Sequence, residues 1–323
     1  MRRLAARLWS AEAVRYDPPW LPRGADRAIA VPFGFEPTLS GGRRAVMIHI
    51  FHPDLAPLFR DLARHVPGAV DLLISTDTPE KADTIRRAFD GWAAGTVDVR
   101  VAPNRGRDMA PKFVTFAASY ARYDQVLFLH SKKSSYFDSG QDWRDVLIAG
   151  LVGSTATVRS ILAMFDADPS LGIVFPQHYD GIRDRLGWGS NRDRVGDLCR
   201  RMGIALGSAR ALEFVSGSMF WARPVALEPI RALGLSTDDF APEEGQIDGT
   251  LAHAIERVLL YAAESEGYTW LKTAHAGCYS DPAGVLPVTA SGDLHVQMAK
   301  ARYRLLGKGV RRDRRARRAM HRG

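Results

Sequence analysis

The chain has 323 residues, of which 46% are hydrophobic, and a formal net charge of +8 at pH 7. This length and apolar content suffice for a substantial core, so disorder is expected only at the ends. The charge is unevenly spread, because residues 302–322 contain ten Lys or Arg and one acid, Asp313, which leaves the rest nearly neutral. Tyr303 is the only aromatic residue in that stretch. The composition therefore argues against a nucleic-acid partner.

Three features bear on the compartment. Cys199 and Cys278 are the only cysteines, and no Cys/His metal-binding spacing accompanies them, which predicts reduced thiols in the cytosol. Glu12 and Asp17 interrupt the basic start of the chain before a signal-type apolar stretch can form. No run approaches the roughly 18 apolar residues that span a bilayer. We expect a cytoplasmic protein without an export signal or membrane span.

Apolar runs alternate with helical patterns along the first half of the chain. Four runs predict buried strands, at 45–51, 69–76, 97–102 and 124–130. Helical spacing predicts helices over 53–66, 79–92 and Lys112–Tyr120. This alternation predicts an α/β fold, with a Rossmann-like, doubly wound and mostly parallel sheet flanked by helices. Ligands of such sheets bind beyond the carboxyl ends of the strands.

The second half continues the pattern less regularly. It predicts helices near 142–165, up to about Met202 and near 247–260, and strands over 171–176, 214–223 and 268–275. We interpret the chain as an N-terminal arm, a single domain of two lobes and a basic C-terminal tail, at 1–44, 45–280 and 281–323 respectively.

Five strings in order carry a resemblance to a known family. They are NRGRDMAP (104–111), LFLHSKKS (127–134), LGWGSN (186–191), SGSMFWAR (216–223) and EGQIDGTLAHAIER (244–257). Together they resemble the rhamnan synthesis protein F family over about residues 45–275. The resemblance implies a GT-A glycosyltransferase in bacterial O-antigen or related cell-wall polysaccharide biosynthesis. It implies a nucleotide-sugar donor and a lipid-linked glycan acceptor, with rhamnose suggested by the family name alone.

The turn Asn104–Asp108 is the candidate donor cradle. Gly106 permits a tight turn, and a following helix would offer backbone N–H groups to an anion. Arg105 and Arg107 can each bind a phosphate in a bidentate manner. The alternative is an ordinary turn in which Asp108 caps the helix and the arginines are solvated.

The loop after the fourth predicted strand is the second donor candidate. Many GT-A enzymes place an Asp-x-Asp metal motif there, whereas this sequence reads HSKK (130–133) without a carboxylate. Lys132 and Lys133 can replace the charge of Mn²⁺ or Mg²⁺ at the diphosphate, or they form a solvated turn. His130 is either a metal ligand or a group that orients a hydroxyl, and His253 is a weaker ligand candidate. Asp77, at the second strand end, is the nucleoside-binding candidate, although acids are also common in turns.

Glu244 and Asp248 are the candidate catalytic bases. They lie at the start of the helix predicted near 247–260, as the acidic base does in similar inverting transferases. A carboxylate there can deprotonate the acceptor hydroxyl. Alternatively, Asp248 caps the helix and Glu244 is solvent-exposed.

Four residues are candidates for acceptor binding: Trp188, Asn191, Ser216 and Gly217. Trp188 lies between glycines in a polar loop, where an indole can stack on a sugar. Trp221 lies on an apolar strand and is expected in the core.

The basic tail predicts peripheral attachment to an anionic inner membrane leaflet, with Leu305, Leu306 and Val310 assisting. The alternative is a solvated tail without a partner. Two other functions compete. A nucleotide phosphotransferase or hydrolase is disfavoured because no GKS/GKT loop or carboxylate metal cluster is visible. A non-catalytic glycan-binding or scaffold subunit would explain the missing Asp-x-Asp acids.

Overall fold

A computed structural model describes residues 25–131, 140–206, 209, 211–243, 248–275, 278–279 and 282–307. The strands are β1 (Ala28–Val31), β2 (Arg44–His49), β3 (Val70–Thr76), β4 (Val97–Val101), β5 (Gln125–His130), β6 (Leu171–Pro176), β7 (Phe220–Ala222), β8 (Thr269–His275) and β9 (Val285–Leu286). The α-helices are α1 (Ala56–Ala63), α2 (Pro79–Ala88), α3 (Gly140–Leu151), α4 (Thr155–Ala167), α5 (Arg192–Arg201), α6 (Glu228–Arg231), α7 (Leu251–Ser265) and α8 (Asp293–Ala301).

The strands form one sheet in the order β4-β3-β2-β5-β7-β6-β8-β1-β9. Neighbouring strands are parallel except for β7, which runs antiparallel to β5 and β6. The chain order reverses between β2 and β5. In doubly wound sheets this switch point opens the crevice that binds ligands. The predicted α/β fold with a mostly parallel sheet is confirmed.

Successive side chains of the central strand β2 pack into two different hydrophobic cores, one on each face of the sheet. Val46 and Ile48 pack in the core beneath α1 to α4 and α8, whereas Met47 packs in the core beneath α5, α6 and α7. Side chains of a strand alternate between the two faces of the sheet, and both faces are covered here. This double burial explains why β2 is a continuous apolar run rather than an alternating one.

Most predicted strands match the structure within two residues at either end, but β7 is much shorter than the predicted 214–223. Gly217 and Ser218 have φ values of +84° and +52°, which interrupt the extended backbone before Phe220. The fold places this break at the carboxyl edge of the sheet, because β7 is antiparallel to β5.

Three helix predictions need correction. The helix predicted over Lys112–Tyr120 is not one continuous helix, since a π-helical turn at Pro111–Thr115 and a 3₁₀ turn at Tyr120–Arg122 replace it. The predicted helix near 142–165 is two helices, and the side chain of Ser154 caps the second. The helix predicted near 247–260 begins at Leu251, because the side chain of Thr250 accepts the hydrogen bond from the backbone N–H of His253.

Segments predicted as an arm and a tail also contribute to the fold. Within 1–44, β1 lies inside the sheet between β8 and β9. Within 281–323, β9 and α8 pack onto the domain, and Leu305 and Leu306 are buried. These two leucines therefore belong to the core and do not assist membrane attachment as predicted. Residues 308–323, with most of the tail's charge, lie outside the described residues.

In the part of the chain that the structure describes, no single helix is long and apolar enough to cross a bilayer. One pair, Trp143–Leu151 with Thr155–Ala167, meets the length and composition criteria but is bent by 59°. Leu147, Leu151 and Ile161 of this pair are fully buried in the core, which explains its apolar composition.

Candidate active site

In a doubly wound sheet the ligand crevice is expected at the switch point, which lies here between the carboxyl ends of β2 and β5. His49 and His130 are register partners at these ends. Nδ1 of His49 lies 3.0 Å from Oγ of Ser75, and burial lowers the pKa of His49 to about 4, so the ring is neutral near pH 7. Nε2 of His130 lies 2.8 Å from the carbonyl oxygen of Gly217, to which it donates. The crevice is therefore bordered by two histidines with fixed ring orientations.

A buried ion pair lies beside the crevice. Asp108 accepts hydrogen bonds from Nζ of Lys112 and, at 2.5 Å, from Oγ of Ser218. Nζ of Lys112 also donates to the carbonyl of Ser218 at 2.7 Å. Burial alone would raise the pKa of Asp108, but Lys112 outweighs it and holds that pKa far below its usual range. The geometry thus favours a structural role for Asp108 over the predicted donor contact.

Arg107 lies at the tip of the predicted donor cradle in a left-handed backbone conformation. Gly106 and Arg107 have φ values of +68° and +51°, and a Cβ on Gly106 would lie 2.3 Å from Cδ1 of Phe240. Glu243 accepts hydrogen bonds from the backbone N–H of Arg107 at 2.9 Å and from its Nε at 3.3 Å. The Arg107 side chain is 42% exposed, so a guanidinium fixed at its base faces solvent.

His253 in the first turn of α7 supports the same guanidinium. Its Nε2 lies 2.9 Å from Nη1 of Arg107, and its Nδ1 lies 2.9 Å from Oγ1 of Thr250. A guanidinium only donates, so Nε2 accepts and Nδ1 carries the proton. Burial, with Arg107, lowers the pKa of His253 to about 4. Its engagement with Arg107 disfavours the predicted metal-ligand role, and the described residues contain no metal-binding group of three or more His, Cys, Asp or Glu.

Asp248 clamps the loop before α5. Its carboxylate accepts hydrogen bonds from the backbone N–H of Ser190 at 2.9 Å and from Nδ2 of Asn191 at 2.6 Å. Gly189 has a φ of +53°, and a Cβ there would lie 2.3 Å from Asp248 Oδ2. Burial would raise the pKa of Asp248, but these hydrogen bonds outweigh it and the pKa is lowered. A carboxylate in this state is a weak base, and Thr250 rather than Asp248 caps α7.

The predicted acceptor tryptophan is part of a core. Trp188 is only 7% exposed and packs in the core beneath α5 to α7, which leaves little surface for stacking on a sugar. Asn191 is fully buried as well. The core position predicted for Trp221 is confirmed, since this residue is fully buried and its Nε1 donates to the carbonyl of Leu151 at 3.1 Å.

The turn Ser216–Ser218 joins the two sides of the site. The backbone N–H of Gly217 donates to Glu256 of α7 at 2.9 Å, while the Gly217 carbonyl receives His130. A Cβ on Gly217 would lie 2.6 Å from Cδ1 of Leu147. The backbone groups of this turn are therefore fixed by side chains from β5 and α7.

The remaining donor candidates lie around this cluster. Asp77 pairs with Lys81 at 2.6 Å, and Nζ of Lys81 lies 3.9 Å from the ring centroid of Phe51. Asn104 is exposed, and Nη1 of Arg105 lies 3.6 Å from Asp238. Arg105 thus points to Asp238 and not to the His253 side of the site.

Comparison with known proteins decides the family. A sequence profile of the family described as "Rhamnan synthesis protein F" matches residues 35–268, which is most of the chain. The chain belongs to the rhamnan synthesis protein F family. The resemblance inferred from the five strings is confirmed, and membership connects the chain with polysaccharide synthesis.

Two relatives of this family member come from strain B100 and a second strain of Xanthomonas campestris pv. campestris. Each is called "Uncharacterized protein WxcX" and is 33% identical over 230 residues, or 69% of this chain and 32% of the relative. The chain thus spans about a third of the length of the curated relatives it matches.

Sequence reasoning missed several residues of the candidate site. Lys112, Ser218, Glu243 and Glu256 were not singled out, although Lys112 follows Asp108 at the i,i+4 spacing of an ion pair. Glu243 adjoins the predicted Glu244, but only the fold brings it to Arg107. Three predicted residues, Lys132, Lys133 and Glu244, lie outside the described residues.

Proposed function

We propose that the chain is a GT-A glycosyltransferase that moves a sugar, rhamnose in the first instance, from a nucleotide donor to a lipid-linked glycan in bacterial surface polysaccharide synthesis. The observation that carries the proposal is the fixed guanidinium of Arg107. Glu243 and the neutral ring of His253 orient it from two sides, near the crevice where doubly wound sheets bind ligands. A preorganised cation at this place suits a departing diphosphate.

The proposed reaction is a single displacement. The acceptor hydroxyl attacks the anomeric carbon, the bond from that carbon to the diphosphate breaks, and the hydroxyl proton passes to a base. Arg107, with Lys132 and Lys133, stabilises the leaving diphosphate in place of the metal ion that an Asp-x-Asp motif would bind. Of the two predicted bases, Asp248 is engaged by Ser190 and Asn191, so we assign the base role to Glu244.

A thermal-shift screen tests donor binding. UDP, GDP, dTDP, CDP and ADP are added to the full chain with and without Mn²⁺ or Mg²⁺. A ligand at 100 times its Kd stabilises the folded state by about 2.7 kcal/mol, which raises the Tm. We expect one nucleotide to do so and Arg107→Ala to lose the shift. Arg64→Ala, which removes an exposed arginine paired with Asp61, is the matched control and keeps it. No shift with any nucleotide would contradict the proposal.

Two observations favour a second function. The string HSKK (130–133) at the end of β5 contains no carboxylate, and Asp248 is committed to the loop before α5. Both facts suit a glycan-binding subunit without catalysis. Donor hydrolysis or sugar transfer by the purified chain would exclude this alternative.

We also propose that the protein works at the cytoplasmic face of the inner membrane, attached by charge alone. The basic residues after Gly307 follow Leu306, whose backbone N–H is fixed by Glu264 at 2.8 Å. Each basic residue near an anionic surface contributes about 1 kcal/mol.

A further inference from the structure

The strand β4 forms one edge of the sheet. It pairs with β3 along one side, and in the part of the chain that the structure describes no strand pairs with its other side. All its side chains are at least partly exposed, and Val101 is 44% exposed. An open sheet edge carries backbone N–H and C=O groups that can pair with a strand of another chain.

The pairing with β3 determines which backbone groups of β4 point outward. The carbonyl of Thr96, directly before β4, accepts a hydrogen bond from the N–H of Leu72 in β3 at 2.8 Å. The N–H and C=O of one residue point to the same side of a strand, and the side alternates from residue to residue. The even-numbered residues therefore face β3, whereas the backbone groups of Val97, Val99 and Val101 point outward.

The sequence of β4, VDVRV, is complementary to itself in the antiparallel direction. When a two-fold axis passes through Val99, Asp98 of one copy lies opposite Arg100 of the other, and Val97 lies opposite Val101. The residues with outward backbone groups then lie opposite one another, so each outward N–H meets a carbonyl of the other copy. Opposite charges on directly opposed residues stabilise a strand pair, whereas like charges destabilise it.

Other positions of the axis lose this complementarity. An axis at Asp98 or at Arg100 sets that residue opposite its own copy, which is a like-charge pair. An axis at Val97 or at Val101 sets both charged residues opposite uncharged ones. Among the five residues of β4, only the axis at Val99 pairs opposite charges.

The side chains at this edge leave room for a second strand. Asp98 and Arg100 pair with each other at 2.6 Å, but their side chains remain 37% and 41% exposed. Nη2 of Arg86 donates to the outward carbonyl of Val99 at 3.2 Å. That carbonyl oxygen has a second lone pair for another donor. Arg86 is 52% exposed, and its charge is balanced by Asp83 at 2.7 Å.

We propose that β4 is a self-association surface, on which a second copy of this chain adds its own β4 in the antiparallel direction with the two-fold axis at Val99. The carboxyl ends of the strands then lie at opposite edges of the joined sheet, so neither copy covers the candidate site of the other. An interface centred on one short strand of each chain is small, and the dimer is therefore weak. This inference does not depend on the reaction proposed above.

The test uses charge reversal at the edge. Asp98→Arg makes both charged positions of β4 positive, and Arg100→Asp makes both negative, so neither variant is complementary to itself. Val99→Pro removes an outward N–H and leaves the pairing with β3 intact, as proline does on edge strands. Asp197→Arg makes the same charge change as Asp98→Arg, but in an exposed pair on α5, and is the matched control.

Sedimentation velocity of the full chain from about 5 to about 500 µM covers the range expected for a small interface. We expect a monomer–dimer equilibrium for the wild type and the control, and dimerisation at least about tenfold weaker for the three edge variants. An equimolar mixture of Asp98→Arg and Arg100→Asp should dimerise again, because opposite charges then face each other. The Tm of each variant shows that it is folded.

Three results would overturn the inference. The first is a wild-type chain that stays monomeric at the highest concentration. The second is dimerisation of Val99→Pro or of either charge variant with the wild-type Kd. The third is a mixture of the two folded charge variants that stays monomeric, since complementary charges across the edge are what the inference requires.

Discussion

Among the residues that the structure describes, two that are not glycine, Arg107 and Ser218, have left-handed backbones at φ values of +51° and +52°. Such conformations cost on the order of 1–3 kcal/mol and persist where the surroundings determine them. Glu243 fixes Arg107, and the buried Asp108–Lys112 pair fixes Ser218. Backbone strain of this kind clusters at functional sites, which supports placing the site between these two residues.

The buried pair gives the first prediction. Asp108→Asn leaves the Lys112 charge unpaired in the core and should lower the free energy of unfolding by about 3–5 kcal/mol. Asp61→Asn, which breaks an exposed pair with Arg64, should cost less than about 1 kcal/mol. Urea unfolding measures both variants. Equal effects of the two substitutions would contradict the claim that the buried Asp108–Lys112 ion pair stabilises the fold.

The histidines give a pH prediction. His49 and His253 have folded pKa values of about 4, below the ordinary value of about 6.5. As the pH falls, these histidines therefore bind protons at a higher pH in the unfolded chain than in the folded chain. The free energy of unfolding should accordingly decrease between pH 6.5 and pH 4. His253→Gln should reduce this slope, as measured by urea titrations across that range. An unchanged slope in the variant would contradict a partly buried His253 whose pKa is lowered to about 4.

At the scale of elements, the strands were predictable because runs buried on both faces are continuous and apolar, as β2 and β6 are. The Ser216–Ser218 turn was not predictable, since SGSMFWAR is compatible with an extended strand until His130, Glu256 and Lys112 converge on it. Among site residues, Arg107 was found by its turn, whereas its partner Glu243 required the fold.

The start of α7 carries the next prediction. Asp248→Asn should keep most of the transfer activity, because the proposed role of Asp248 is to hold Ser190 and Asn191 and not to take a proton. Glu244→Gln should reduce kcat by about 10²–10⁴, the usual contribution of a general base. Single-turnover transfer assays of both variants decide this. Loss of transfer in Asp248→Asn with an unchanged Tm would return the base role to Asp248.

At the scale of the whole molecule, the fold extends beyond the family match at residues 35–268. Asp26 pairs with Lys272, which also binds the buried Glu213, and β1 lies within the sheet. The four-residue β1 is too short to show periodicity, and Leu305 and Leu306 are surrounded by basic residues in the sequence. Their burial against Glu264 required the tertiary structure.

This arrangement predicts different effects for two truncations of the C-terminal segment. Removing residues 308–323 should leave the Tm unchanged and abolish co-sedimentation with phosphatidylglycerol vesicles. Neither the full chain nor the truncated chain should bind phosphatidylcholine vesicles. Removing residues 302–323 should also destabilise the fold by several kcal/mol, because each buried leucine contributes about 2–5 kcal/mol. Vesicle binding by the shorter truncation would disprove electrostatic attachment by the tail.

The most direct measurement of the central claim is sugar transfer itself. The purified full chain is incubated with a nucleotide-sugar panel that includes dTDP-rhamnose and with a lipid-linked rhamnoside, and the products are weighed by mass spectrometry. We predict a product heavier by one sugar residue and release of the nucleoside diphosphate, both lost in Arg107→Ala and retained in Arg64→Ala. Neither transfer nor donor hydrolysis with any donor would contradict the account and favour a glycan-binding subunit.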